Sequence, residues 1–252
     1  MHKSSNKYIF LGRRMKELAG QLKVSEWETL FRILLFSTSN GTVGIETENG
    51  TIEPSTIKKL SKFWGITDKT SYNHLRHFIE LGLIEQKKGG KGTKIYQTTH
   101  NFYTFLEDKV THESIPVERE KLLAIYENLK PRIYWKDATG MERKLYPFSY
   151  LLVGVLHIHR QVNILSEFHD FRMEPVESDG KVFYSLEDMK QIKPLSKMKF
   201  WSYASGKSYT MSKNQKEIFY ASLGLLEEEQ IMKYIEGKLK YYIFTQNFFT
   251  YS

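Results

Sequence analysis

Apolar residues recur at helical spacing near the start of the chain. Leu11, Met15, Leu18 and Leu22 fall every three or four positions, and the run 27–36 is largely apolar. Both patterns predict core helices. Asn40-Gly41 and Asn49-Gly50 bracket residues 42–48 with turn signals, which leaves room for a short strand or loop. Pro54 precedes residues 56–64, where its missing N–H costs little at a helix start, and Gly65 stops that helix. Thr67 or Asp68 can cap the next helix, predicted over 68–81, and Gly82 ends it. Two strand-like runs, 83–88 and 94–99, follow around Gly89-Gly90-Lys91-Gly92-Thr93. The predicted order is helix, tight turn, helix, glycine-tipped hairpin.

The chain then repeats itself. Leu81-Gly82-Leu83-Ile84-Glu85 returns as Leu223-Gly224-Leu225-Leu226-Glu227, and Thr99-His100-Asn101-Phe102-Tyr103-Thr104-Phe105 returns as Thr245-Gln246-Asn247-Phe248-Phe249-Thr250-Tyr251. Upstream, 146–162 is an apolar helix candidate in the place of 27–36, and Lys181-Val182-Phe183-Tyr184 precedes a helical stretch, 186–192. Setting Gly82 against Gly224 puts Glu217 opposite Leu75 and makes the second hairpin the longer one, turning near Glu236-Gly237-Lys238. The expected fold class is α+β, mainly α with small β-hairpins. Two tandem domains are expected, 1–110 and 146–252, with a partly helical linker over 111–145.

Charge sharpens this picture. The 252 residues include 37 Lys and Arg against 29 Asp and Glu, a net charge of +8, and a basic excess favours polyanionic partners. Residues 1–110 hold 17 basic and 11 acidic side chains, so most of the excess lies in the first half. Residues 55–98 alone hold nine basic against three acidic. If Leu75, Phe78 and Ile79 form the buried face of helix 68–81, then Lys69, Thr70, Asn73 and His77 point outward with Arg76 at the margin. Asn suits adenine, Arg suits guanine, and Thr and Lys suit phosphates or base acceptors. The hairpin beside it adds Lys87, Lys88, Lys91 and Lys94, with glycines that permit close approach to a backbone. The chain has no cysteine, which excludes disulfides and thiolate chemistry. No segment approaches 18 uninterrupted apolar residues. A cytoplasmic, non-enzymatic protein with no membrane partner and no cofactor is expected.

Residues 56–65, 68–81 and the hairpin through Tyr96 resemble the winged helix-turn-helix of bacterial regulators. The duplication over roughly 7–105 and 146–252 is similar to the tandem winged-helix replication initiators of plasmids and phages. That resemblance implies double-stranded DNA as ligand, a homodimer, and host replication proteins as partners. It implies a second recognition helix over 212–222 presenting Ser212, Lys213 and Lys216, with Lys207 just before it. A winged-helix transcription regulator is the alternative role. His157-Ile158-His159 matches the two-histidine pattern of rolling-circle nicking enzymes, but the repeat places it in a core helix, where the two rings diverge. Ser205-Gly206-Lys207-Ser208 resembles the end of a phosphate-binding loop, yet Trp201 stands where its first glycine is required. The carboxylates Glu227, Glu228 and Glu229 read as a solvated run. Phe102-Tyr103 and Phe248-Phe249 read as core closure rather than as a platform for single-stranded bases.

Overall fold

The computed structural model describes residues 8–12, 14–90, 93–104, 114–137, 139–159, 161–167, 173–179, 181–207, 210–236 and 240–245. It is an α+β protein with small antiparallel sheets. The chain divides into two compact units. The first takes Met1–Leu18 and Ser25–Lys130, and the second takes Ala19–Val24 and Pro131–Asn247.

The first unit runs β1 (Tyr8–Leu11), α1 (Arg14–Glu17), α2 (Val24–Leu35), β2 (Gly44–Glu46), β3 (Ile52–Pro54), α3 (Ile57–Trp64), α4 (Asp68–Glu80), β4 (Ile84–Lys88), β5 (Lys94–Thr98), β6 (Tyr103–Thr104), β7 (Ile115–Glu118) and α5 (Arg119–Leu129). Leu11 was expected on a helix with Met15, Leu18 and Leu22, but it ends strand β1. Ile9 and Leu11 alternate inward there, so a period of two wins over a period near four. β1 lies between β6 and β7, pairing Ile9 with Val117 and Leu11 with Tyr103. Gly12 follows because the backbone of Asn101 is so near that a Cβ would meet its carbonyl oxygen at 2.5 Å. Strand β7 and helix α5, which fall in the stretch expected to be linker, belong to this unit. Helix α2 is buried on every side: Trp27, Leu30, Phe31 and Leu34 form its apolar surface, and Glu28 and Arg32 are hidden with them.

The second unit runs β8 (Tyr134–Lys136), β9 (Glu142–Lys144), α6 (Pro147–Leu156), β10 (Ile158–His159), β11 (Ile164–Leu165), β12 (Val176–Ser178), β13 (Lys181–Phe183), α7 (Leu186–Gln191), α8 (Lys197–Ser205), α9 (Lys213–Glu228), β14 (Met232–Glu236) and β15 (Lys240–Phe244). Its four-stranded sheet has the order β10-β11-β15-β14. Tyr150 on α6 packs edge-on against Phe219 at 5.1 Å and Phe200 at 5.9 Å, which seats α6 under α8 and α9. Helix α6 was expected to reach residue 162 but stops at Leu156. Ile158 and His159 turn instead into a hairpin with Ile164 and Leu165, closed through Asn163 at φ 56°.

The ends of α4 and α9 and the hairpins after them correspond, in a different register from the one the sequence suggests. Helix α4 ends with Gly82 N donating to the Ile79 carbonyl and Leu83 N to the Phe78 carbonyl, a Schellman closure around the left-handed Gly82. Helix α9 ends the same way, with Gln230 N donating to Glu227 O and Ile231 N to Leu226 O, and Gln230 at φ 53°. Thr99 Oγ1 donates to the Gly82 carbonyl, and Thr245 Oγ1 donates to that of Gln230. Gly82 therefore corresponds to Gln230, and Gly224 lies inside α9. The two Leu-Gly-Leu blocks occupy different places because their likeness is local while the backbone closure is not. This register sets Leu75 against buried Leu223, so the Glu217 mismatch disappears. It also makes the second hairpin the shorter one, with three residues between strands instead of five.

Candidate nucleic-acid interface

Helix α3 ends at Gly65, left-handed at φ 65°, and its two terminal N–H groups return to Lys62 O and Ser61 O. Two residues later Thr67 caps α4 by accepting from Thr70 N at 3.2 Å. The turn between the helices is thus only Gly65, Ile66 and Thr67 long. The buried face of α4 is Ser71, His74, Leu75 and Phe78. Ile79, expected inward, is 37% exposed, and His74 has taken the inward position, its Nδ1 2.9 Å from Thr29 Oγ1 on α2. A polar anchor has rotated the helix from the orientation that apolar residues alone would choose.

That rotation sorts the predicted contacts. Lys69, Asn73 and Arg76 are exposed on the outward face. Among the described residues Arg76 pairs with Glu80 at 3.5 Å, an exposed pair easily exchanged for another anion. His77, expected outward, is half-buried and held at 2.7 Å by Glu26 Oε1 of α2, so it positions α4. The hydroxyl of Thr70 lies 2.8 Å from that of Thr67 and is engaged in the cap. Sequence reasoning missed Tyr72, which is exposed between Lys69 and Arg76. Its signal was the set 71, 74, 75 and 78, whose helical spacing defines an inward face even though two members are polar.

The adjoining hairpin projects from the unit. After Ile84, residues Glu85, Gln86, Lys87 and Lys88 are all exposed, on both faces of β4. At its tip Gly89 N donates to Thr93 O, and a Cβ on Gly89 would strike Thr93 Oγ1 at 2.7 Å. β5 is braced from behind, with Val43 N donating to Tyr96 O and Thr98 N to Gly41 O. Lys87 pairs with Glu85 at 2.9 Å. Lys88 and Lys94 face each other directly across the two strands, and no carboxylate pairs with either among the described residues. Lys91 lies outside the described residues. Phe102 and Tyr103 are buried, and burial pushes the Tyr103 hydroxyl up to about 12, with the nearby Ser37 and Thr98 side chains acting the other way. Phe248 and Phe249 lie outside the described residues.

In the second unit the corresponding surface has other chemistry. The new register puts Glu217, Ala221 and Gly224 where α4 has Lys69, Asn73 and Arg76. Ile235 and Glu236 stand where β4 has Lys87 and Lys88. The cross-strand pair equivalent to Lys88 and Lys94 is Glu236 and Lys240, joined by a salt bridge at 2.7 Å. Lys197 lies 3.6 Å from the ring centroid of Tyr234 and 5.5 Å from that of Tyr220, so the angle between helix and hairpin is filled by the unit's own cation. Helix α9 is longer than predicted. Ser212 is its cap in a capping box with Gln215, which occupies its side chain, while Lys213 and Lys216 are exposed on the first turn and Lys207 is exposed before it.

The remaining motifs resolve simply. Gly206 is the left-handed C-cap of α8, so Ser205-Gly206-Lys207 meets helix carbonyls, whereas a phosphate requires the N–H groups of a helix start. His157 and His159 are buried. They lie at the end of α6 and in β10 rather than within a core helix, and the His157 ring packs on Tyr203 at 4.7 Å. Among the described residues no group of three His, Asp or Glu is placed to hold a metal. Glu228 and Glu229 form ion pairs with Arg132, and Glu227 accepts from Tyr234 N. No described helix is long and apolar enough to cross a membrane. Comparison of the chain with protein-family models, with characterised proteins and with solved structures returns no match.

Proposed function

We propose that this chain is a cytoplasmic, non-enzymatic protein that binds duplex DNA at specific sequences, using two tandem winged helices of which the first reads the site. In this reading α4 enters the major groove with Lys69, Asn73 and Arg76 toward base edges, and the β4–β5 hairpin lies along the backbone. The observation that carries it is the pair Lys88 and Lys94. Like charges directly opposite on a hairpin destabilise it, and the same position in the second unit is a satisfied Glu236–Lys240 pair. A phosphate between the two lysines supplies the missing counter-charge. The narrower role we propose is initiation of replication on a mobile element, supported by the repetition of helix, turn, helix and hairpin in both units.

The test is a titration of the full chain against duplexes selected from a randomised 20-bp pool, at several salt concentrations. Binding weakens with salt at about 0.9 logarithmic units per phosphate contact, so replacing Lys87, Lys88 and Lys94 by Gln flattens the slope by roughly 2 to 3 for all sequences. Asn73→Ala costs about 1–3 kcal/mol on the selected duplex and relaxes preference at one base pair, while non-specific affinity barely moves. An unchanged slope in the triple variant removes the hairpin from the interface.

A further inference from the structure

Tyr72 is the part of the outward face of α4 that charge leaves unexplained. It is 47% exposed, with Lys69 one turn before it, Asn73 beside it and Arg76 one turn after. Its position in the second unit is held by Tyr220, also 47% exposed, but that ring already has partners: the Phe219 ring at 5.3 Å and the Lys197 ammonium at 5.5 Å. Among the described residues Tyr72 has neither a ring nor a cation packed on it. Tyr96 on β5 is near enough that Tyr72 adds to the burial that pushes the Tyr96 hydroxyl up.

We infer that Tyr72 is a specificity-determining residue of this interface, its ring packing on the 5-methyl group of a thymine in the major groove, next to the pair contacted by Asn73. The inference rests on the duplex-binding reading above. Thymine is the base that presents a methyl group to the major groove, and it is read by apolar contact. An aromatic ring flanked by Asn, Lys and Arg supplies the apolar member of a set whose other members serve acceptors and phosphates. Removing one methyl-sized group from water corresponds to about a fourfold change in affinity.

The experiment uses the full chain and the tightest duplex from the randomised pool, with each thymine replaced in turn by 2′-deoxyuridine, which deletes only the methyl. One replacement weakens the wild-type protein about fourfold. Tyr72→Phe keeps that dependence, and Tyr72→Ala binds the thymine and deoxyuridine duplexes equally, with thermal unfolding confirming that it is folded. If no replacement affects the wild type, or if Tyr72→Ala retains the difference, the inference is overturned while duplex binding stands. If the pool yields no enriched sequence, the duplex-binding reading falls and this inference with it.

Discussion

Arg32 sits 4% exposed on a helix walled by apolar side chains, and its neighbours show how a buried charge is accommodated. Glu28, one turn earlier, is 3.2 Å from its guanidinium. The same guanidinium donates to the carbonyl of Trp64 at the end of α3 and faces the Tyr126 ring at 6.0 Å. Removing one partner of such a pair strands the other charge, whereas replacing both by apolar groups can be nearly neutral. Glu28→Ala is expected to lower unfolding stability by about 3–5 kcal/mol, and Glu28→Leu with Arg32→Met by much less than the sum of the two single changes. Urea unfolding of Glu28→Ala, of the single variants Glu28→Leu and Arg32→Met, and of their double variant checks this, and strict additivity would show that the pair is uncoupled. None of this is written in the local sequence, which hides Glu28 and Arg32 inside an apolar run. The inward turn of His74 and the pinning of His77 were equally illegible, because each depends on a partner more than forty residues away on α2. Lys69, Asn73 and Arg76 were legible because their exposure follows from helix periodicity alone.

At the scale of elements, the sequence announces where helices start and stop better than which stops correspond. Gly65 and Gly82 mark helix ends in the sequence, and in the structure both are left-handed at the ends of α3 and α4. Gly224 looked like the counterpart of Gly82, but it lies mid-helix with open space where a Cβ would stand. The true counterpart, Gln230, carries no glycine signal. The two glycines therefore respond oppositely to one substitution. Gly224→Ala is expected to stabilise the protein by about 1 kcal/mol through helix propensity, and Gly82→Ala to destabilise it by about 1–2 kcal/mol through the left-handed backbone. Thermal unfolding reads both, and the same sign for the two would return the register to the sequence alignment. The failed expectations for Leu11 and for residues 157–162 share one cause. Short strands borrow their conformation from distant partners, so a local helical spacing can be outvoted by a sheet.

Across the whole molecule, the likeness between the two helix–hairpin segments was legible, while its register was not. Net charge located the basic half, but only the structural register sets Glu217, Ala221 and Gly224 of the second unit against Lys69, Asn73 and Arg76 of the first. Replacing Lys207, Lys213 and Lys216 by Gln is accordingly expected to weaken all duplexes alike, with base preference unchanged, in the same titration that tests Asn73. A shift in preference would give the second unit a reading role. The first unit also carries a consequence for how it is made. Strand β1, near the start of the chain, finds one of its partners in β7, where Tyr8 meets Glu118. Joining segments roughly a hundred residues apart is among the slowest steps available to a small domain, because the closure entropy is lost before the pairing is gained. A ribosome must therefore deliver α1 to α4 and the lysine-bearing hairpin before β7, the strand that completes the sheet around β1. Until β7 emerges, β1 lacks one of its two partner strands and presents an apolar edge, which leaves the nascent chain exposed to aggregation.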